Sequence, residues 1–209
     1  LDMPPPIDLA PLVEKYGMEY WREIGRRKVF PQEFWDDVSR MRLPGVLLPP
    51  EHGGLGLGLA ELCEIVIYLG SYGFSTGLYP LLTNAMSSLV ILESGSEKQR
   101  KMLLPKIASG TLLVGLSVTE RESGSDALSI ATVARRENGK FLINGGKMFV
   151  NNVDRATHLL LLARTTPADR VSKRSMGLTV FLVDVKSDGL SYRILDKMGM
   201  DYVSTCEVV

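Results

Sequence analysis

Near residue 110 the spacing of apolar residues changes from that of helices to that of strands, and this switch constrains the fold more than any other feature of the chain. Before it, Leu62, Ile65, Val66 and Leu69 recur at i, i+3, i+4, i+7, one face of a helix. Leu82, Ala85, Met86 and Leu89 repeat the pattern in the next helix, which Gly95 ends. Upstream, Asp8 is placed to cap a helix with apolar positions Leu12, Val13, Tyr16 and Tyr20. Pro31 opens another, running through Phe34, Trp35 and Val38 to Arg42. Residues 43–58 are dense in proline and glycine and read as a loop. Ser96 with Gln99 forms a capping box for a helix from Glu97 to Ala108, closed by Ser109–Gly110.

After the switch, short apolar runs alternate with turn residues. Strands are expected at 112–119, 131–136, 140–144, 147–151, 158–164, 178–184 and 192–195, with a last run at 206–209 that reads as a strand cut off in its middle. Asn138–Gly139 and Asn144–Gly145 are two-residue hairpin signals. The expected fold is therefore α+β and multidomain. An all-α domain over 1–110 precedes an antiparallel β-barrel or sandwich domain over 111–209.

Charge and composition exclude several function classes. Lys plus Arg and Asp plus Glu both number 24, so no net positive field draws in a phosphate backbone, and nucleic-acid binding is not expected. With 45% hydrophobic and 23% charged residues the chain is of globular type. Cys63 and Cys206 stand far apart, which argues against a disulfide framework, and His52 and His158 are isolated, so no metal site is expected. No apolar run approaches the roughly 20 residues that span a bilayer. The chain opens on Leu1 and reads as a trimmed chain or a piece of a longer one.

Three segments carry polar chemistry. Residues 51–58 are glycine-rich, but the glycines do not fall at G-x-G-x-x-G, no strand precedes them and no lysine follows, so a tight interhelical turn is the reading. Thr119-Glu120-Arg121-Glu122-Ser123-Gly124-Ser125-Asp126 follows a strand. Its hydroxyls and exposed N–H groups suit a polar heterocycle or a phosphate oxygen, or equally a solvated turn. In Lys147-Met148-Phe149-Val150-Asn151-Asn152, strand alternation puts Phe149 and Asn151 on one face. The ring there could cover a flat ligand while the amide bonds its edge; core packing with a strand-end amide is the alternative. Arg164, Arg170, Lys173 and Arg174 gather around a polar hairpin loop, as a solvated loop or as a contact for an acidic ligand.

Taken in order, these segments resemble the acyl-CoA dehydrogenase family. Pro50-Glu51-His52-Gly53-Gly54-Leu55-Gly56 is similar to the family's interhelical loop, and Gly95-Ser96-Glu97-Lys98-Gln99-Arg100 with Leu104-Pro105 to its helix-start signature. Val118-Thr119-Glu120 with Gly124-Ser125-Asp126 resembles its flavin loop, and Asn144 to Asn152 its second flavin strand. Lys197-Met198-Gly199-Met200 with Thr205-Cys206-Glu207-Val208 resembles the end of its middle domain.

The resemblance implies an FAD-dependent dehydrogenase that desaturates acyl-CoA thioesters between the α and β carbons. In this reading the β domain holds FAD against a third, helical domain. The resemblance implies FAD contacts from Leu116, Ser117, Val118, Thr119, Gly124, Ser125, Phe149, Val150 and Asn151, with Ser125 also near the bound thioester. No catalytic base is assigned within the chain, which is a little over half the usual family length; the family's carboxylate is expected beyond Val209. An electron-transfer flavoprotein as acceptor, a homo-oligomer, and a cytoplasmic or mitochondrial-matrix location are further implications. An oxygen-using oxidase or monooxygenase on the same architecture would be marked by rapid reoxidation of reduced flavin. A non-catalytic flavin- or CoA-binding subunit is the other alternative. Three positions depart from the family pattern: Asn151 replaces a hydroxyl residue, Leu116 a frequent aromatic, and Arg121-Glu122 a proline and a small residue.

Overall fold

The computed structural model describes residues 5–209, the side chains of 75 and 76 excepted. It divides into two compact units. One runs to Leu113 and takes in Lys197–Val203; the other comprises Val114–Asp196 and Ser204–Val209.

The first unit is helical: α1 (Ala10–Lys15), α2 (Met18–Arg27), α3 (Gln32–Arg40), α4 (Leu59–Ser71), α5 (Tyr79–Ser94) and α6 (Glu97–Ala108). The single first helix expected from Leu12 to Tyr20 is instead two, because Gly17 takes an extended conformation (ψ 177°) between them. Asp8 accepts from the Ala10 amide at 3.0 Å. At α6 the capping box forms as expected, with Gln99 N–H donating to Ser96 Oγ and Ser96 N–H to Gln99 Oε1 at 2.8 Å. On α5 the buried face is offset from the expected one. Leu81, Asn84, Ala85, Ser88 and Ile91 are buried, while Met86 is 57% exposed. The offset follows from Asn84 and Ser88, which look like surface residues but have buried partners: Asn84 Nδ2 donates to the Leu112 carbonyl and Ser88 Oγ to the Ala85 carbonyl.

The core of this unit is centred on Trp21. Its indole lies 5.0–5.5 Å, between ring centroids, from Tyr20, Phe34, Phe74 and Tyr202. Gly77 passes so close that a Cβ there would meet the indole at 2.3 Å. Beside it, Asp37 accepts from Tyr16 Oη and Lys15 Nζ (2.7 Å), which hold its carboxyl below the usual range, the Lys15 bond contributing most.

The second unit contains two open sheets. The larger has β1 (Val114–Ser117), β2 (Val133–Glu137), β3 (Lys140–Asn144), β5 (His158–Arg164) and β6 (Leu178–Asp184); the smaller has β4 (Lys147–Asn151), β7 (Tyr192–Ile194) and β8 (Thr205–Val208). The α+β class stands, but the sheets are not closed into a barrel, and β1 and β2 both pair with β5 in parallel. β6 pairs along the whole of β5, so β1 and β2 share the opposite edge. Asn138 (φ +50°) and Gly139 (φ +78°) join β2 to β3 in the expected hairpin.

Asn144–Gly145 does not make a hairpin. β3 and β4 lie in different sheets, and the chain switches between them at Gly145 (φ +154°), where a Cβ would meet Thr132 Oγ1 at 2.4 Å. Close backbone approach rather than a turn is what glycine serves at this position. Between β7 and β8 the chain leaves the β unit for Lys197–Val203, which belongs with the helical unit.

Removing the indole should be costly, since truncating a buried Trp loses about 3–5 kcal/mol. Trp21→Ala is expected to lower the urea-unfolding free energy by that amount. Met86→Ala, at the exposed position on α5, should stay within about 0.5 kcal/mol of wild type.

Candidate functional site

Two segments thirty residues apart in sequence are brought together in the β unit. The Met148 N–H donates to the Thr119 carbonyl at 2.8 Å, so the loop after β1 lies along β4. Lys147 reinforces this contact: its Nζ donates to the Val118 carbonyl at 2.9 Å and to Glu120 Oε1 at 2.8 Å. Both side chains are buried, at 2% and 8% exposure. Glu120 spends its remaining lone pairs on the backbone, accepting from Ala131 N–H at 2.6 Å and Thr132 N–H at 3.0 Å. Burial alone would raise the Glu120 carboxyl, but the Lys147 ammonium and these amides outweigh it and hold the group below its ordinary value.

Beyond Glu120 the loop turns tightly. Glu120 and Ser123 exchange backbone bonds at 2.9 and 3.2 Å around Arg121-Glu122. Buried Ser123 donates from Oγ to the Asp126 carbonyl at 2.6 Å. Gly124 and Ser125 then stand exposed, and a Cβ on Gly124 would meet nothing within 4 Å. Asp126 is occupied by Ser129 and by Arg174 Nη2, each at 2.5 Å.

On β4, Phe149 adopts φ +59°, and the pairing with β8 shifts register between Lys147 and Val150. This is a bulge with a non-glycine residue in the left-handed region, a conformation costing about 1–2 kcal/mol. The bulge turns Phe149 outward, 60% exposed, while Val150 is buried. It also breaks the simple alternation that placed Phe149 and Asn151 on one face. Asn151 is half-buried, its Oδ1 accepting from Thr205 Oγ1 at 2.7 Å.

The structure therefore puts Val118, Thr119, Phe149, Val150 and Asn151 in one neighbourhood, with Gly124 and Ser125 further along the same loop. Leu116 is half-buried on β1. Ser117 is fully buried, and its Oγ has no hydrogen-bond partner among the described residues. Asn152, following β4 at φ +56°, likewise leaves both buried amide atoms unpaired among them. Unsatisfied groups of this kind cost about 1–3 kcal/mol each and are rare in a native interior. A separate groove of about 390 Å³, lined by Phe141, Leu142, Val183, Leu190 and Val208 among others, includes none of the nine expected FAD contacts.

Sequence reasoning missed the Lys147–Glu120 pair because two charged residues 27 apart carry no local signal of burial. It also grouped Arg164 with the basic hairpin loop. Arg164 is in fact buried, and its Nη2 donates to the Leu128 carbonyl at 2.8 Å.

Two domain profiles match the chain: acyl-CoA dehydrogenase, N-terminal domain, over residues 9–111, and acyl-CoA dehydrogenase, middle domain, over 115–209. Isovaleryl-CoA dehydrogenase from Solanum tuberosum is 34% identical over 209 residues, covering 97% of this chain and 47% of its own length. Acyl-CoA dehydrogenase FadE12 of Mycobacterium tuberculosis is 32% identical over 184 residues, covering 88% and 46%. Among solved structures, an acyl-CoA dehydrogenase from Geobacillus kaustophilus superposes with a TM-score of 0.85 at 25% identity, over 95% of this chain and 52% of its own. The chain spans about half the length of the curated relatives it matches.

The Lys147–Glu120 pair yields a stability prediction. Lys147→Met leaves a buried carboxylate without its cation and should cost about 3–5 kcal/mol at pH 7. Because folding lowers the Glu120 pKa, its contribution is fully present above the unfolded value of 4.5 and is lost as pH falls through the lower folded value. Urea titrations should therefore show the advantage of wild type over Glu120→Gln constant from about pH 5 to neutrality and shrinking in acid.

Proposed function

Because the chain belongs to the acyl-CoA dehydrogenase family, we propose that its β unit holds FAD in the service of α,β-desaturation of an acyl-CoA thioester. The observation that carries this reading is Phe149. A large aromatic is held outward, against backbone preference, within a few residues of the loop that β4 binds. An exposed ring of this kind offers a flat apolar surface to a flat heterocycle, and its left-handed backbone carries a conformational cost.

The donor set fits the same group. Thr119 and Asn151 supply a hydroxyl and an amide for the edge of a ring, and Leu116 and Val150 supply apolar contact. Gly124 and Ser125 present accessible backbone and a hydroxyl where a charged tail or the thioester would pass. FAD, when bound, supplies the hydride-accepting chemistry. The residues of this chain bind and orient. Lys147 and Glu120 fix the loop, and β4 presents Phe149 and Asn151.

Glu120 is not the catalytic base in this reading. Both of its oxygens are committed and its pKa is depressed, whereas a base must reach the substrate proton directly or through one water. We place the base outside the residues described. An electron-transfer flavoprotein as acceptor, self-association, and a cytoplasmic or matrix location complete the proposal. A matrix location accords with relatives named as mitochondrial.

Two exposed aromatics provide the test. Phe149→Ala should weaken FAD binding about two- to twelvefold, the equivalent of about 0.5–1.5 kcal/mol for one aromatic contact. Phe141→Ala, which removes a ring 51% exposed on β3, should leave FAD affinity unchanged. Titration by flavin fluorescence reads both, and equal effects would refute the assignment.

A further inference from the structure

The two segments of the site are held from a third place in the chain. Thr205 and Glu207 are alternate residues of β8 and share one of its faces, while Cys206 and Val208 on the other face are buried. Thr205 lies directly opposite Asn151 in the β4–β8 ladder, and its hydroxyl donates to Asn151 Oδ1 at 2.7 Å. Two residues on, Glu207 Oε1 accepts from Arg121 Nη2 at 3.0 Å, reaching the tip of the tight turn in the other segment. Its second oxygen accepts from Arg193 Nη2 on β7 at 2.6 Å. One strand face thus grips the amide of β4 and the guanidinium of the loop.

We propose that Thr205 and Glu207 are positioning residues, and that this face of β8 sets Asn151 and the Arg121 turn relative to each other for the cofactor. The inference rests on the flavin reading above but assigns roles to residues outside the nine expected contacts. The two grips differ in kind. Thr205 is a buried residue with a neutral hydroxyl, which fixes which way the Asn151 amide faces. The Glu207 grip is ionic, with Arg121 and Arg193 some two-thirds exposed and the carboxylate 22% exposed. Arg193 and then Arg121 hold the Glu207 carboxyl below its usual range, so it stays charged at neutral pH. Arg121 also stands where the family pattern has proline, so a side-chain tie takes the place of a stiff backbone residue.

The difference in kind makes the proposal testable in the intact protein, with FAD as the probe. Thr205→Val, which keeps shape and deletes the donor, should raise the FAD dissociation constant three- to tenfold and shift the visible band of the bound flavin. Thr205→Ser should remain within about twofold of wild type with the band unmoved, a pattern that loss of packing alone would not produce. Glu207→Gln should weaken FAD about threefold at low ionic strength, and the gap should close by about 0.5 M salt, where exposed pairs are screened. The Thr205→Val gap should persist in salt. If Thr205→Val does not fold, Thr205→Ala deletes the same donor and takes its place. Affinities unmoved in the variants while wild type binds FAD would overturn this inference alone, as would Thr205→Ser falling as far as Thr205→Val or a salt-independent Glu207→Gln effect. Failure of wild type to bind FAD would overturn the flavin reading and this proposal with it.

Discussion

The ion pair between Lys147 and Glu120 is the contact on which the rest of the β unit's site depends. Two buried charges are a costly way to join two segments, and an apolar pair of the same volume would often be as stable. What the charged pair adds is direction. Lys147 reaches one carboxylate oxygen and the Val118 carbonyl, while Glu120 reaches the amides of Ala131 and Thr132. Three backbone groups, one after β1 and two before β2, are thereby tied to the start of β4 through a single pair of side chains. A hydrophobic contact has no such angular demand, and the loop would be free to slide along β4.

Given that anchor, the departures from regular geometry concentrate on one side of it. The left-handed Phe149, the register shift against β8, the left-handed Asn152 and the Ser117 hydroxyl, unpaired among the described residues, all fall within a few residues of the Thr119–Met148 bond. Strain and unsatisfied groups collect where the chain does something other than fold. β8 pairs with that strained segment, and three of its four residues are buried. Its role emerges only from the identity of its side-chain partners.

The elements themselves were largely legible in the sequence, since apolar periodicity is a local property and most strands and helices lie close to where it put them. What could not be read was non-local. Asn144–Gly145 declares a position for glycine but not which strands flank it, and the close approach of Thr132 decides that the chain changes sheet. Nothing in Met148-Phe149-Val150 foretells a positive φ at Phe149, because no glycine marks it and the surrounding ladder imposes it. Polar residues misled in a consistent way. Asn84, Ser88, Lys147, Glu120 and Arg164 carry no local signal of burial, yet each is buried with partners distant in sequence or on its own helix. The two flavin-like segments were found through resemblance, and their adjacency required the Met148–Thr119 bond to be seen.

The short excursion of Lys197–Val203 bears on how such a chain is made. Tyr202 is part of the ring cluster around Trp21, so the helical core closes with a residue that follows seven of the eight strands in sequence. During synthesis from the N-terminus, the first 113 residues emerge well before Tyr202, the ring that completes the cluster around Trp21. Domains of such chains ordinarily fold one after another as they emerge. Here the earlier unit is completed only after most of the later one has been made. A chaperone that holds the nascent helices would find its client with an incomplete core until seven strands of the β unit had followed, and a cut after residue 113 would separate Trp21 from the Tyr202 ring it packs against.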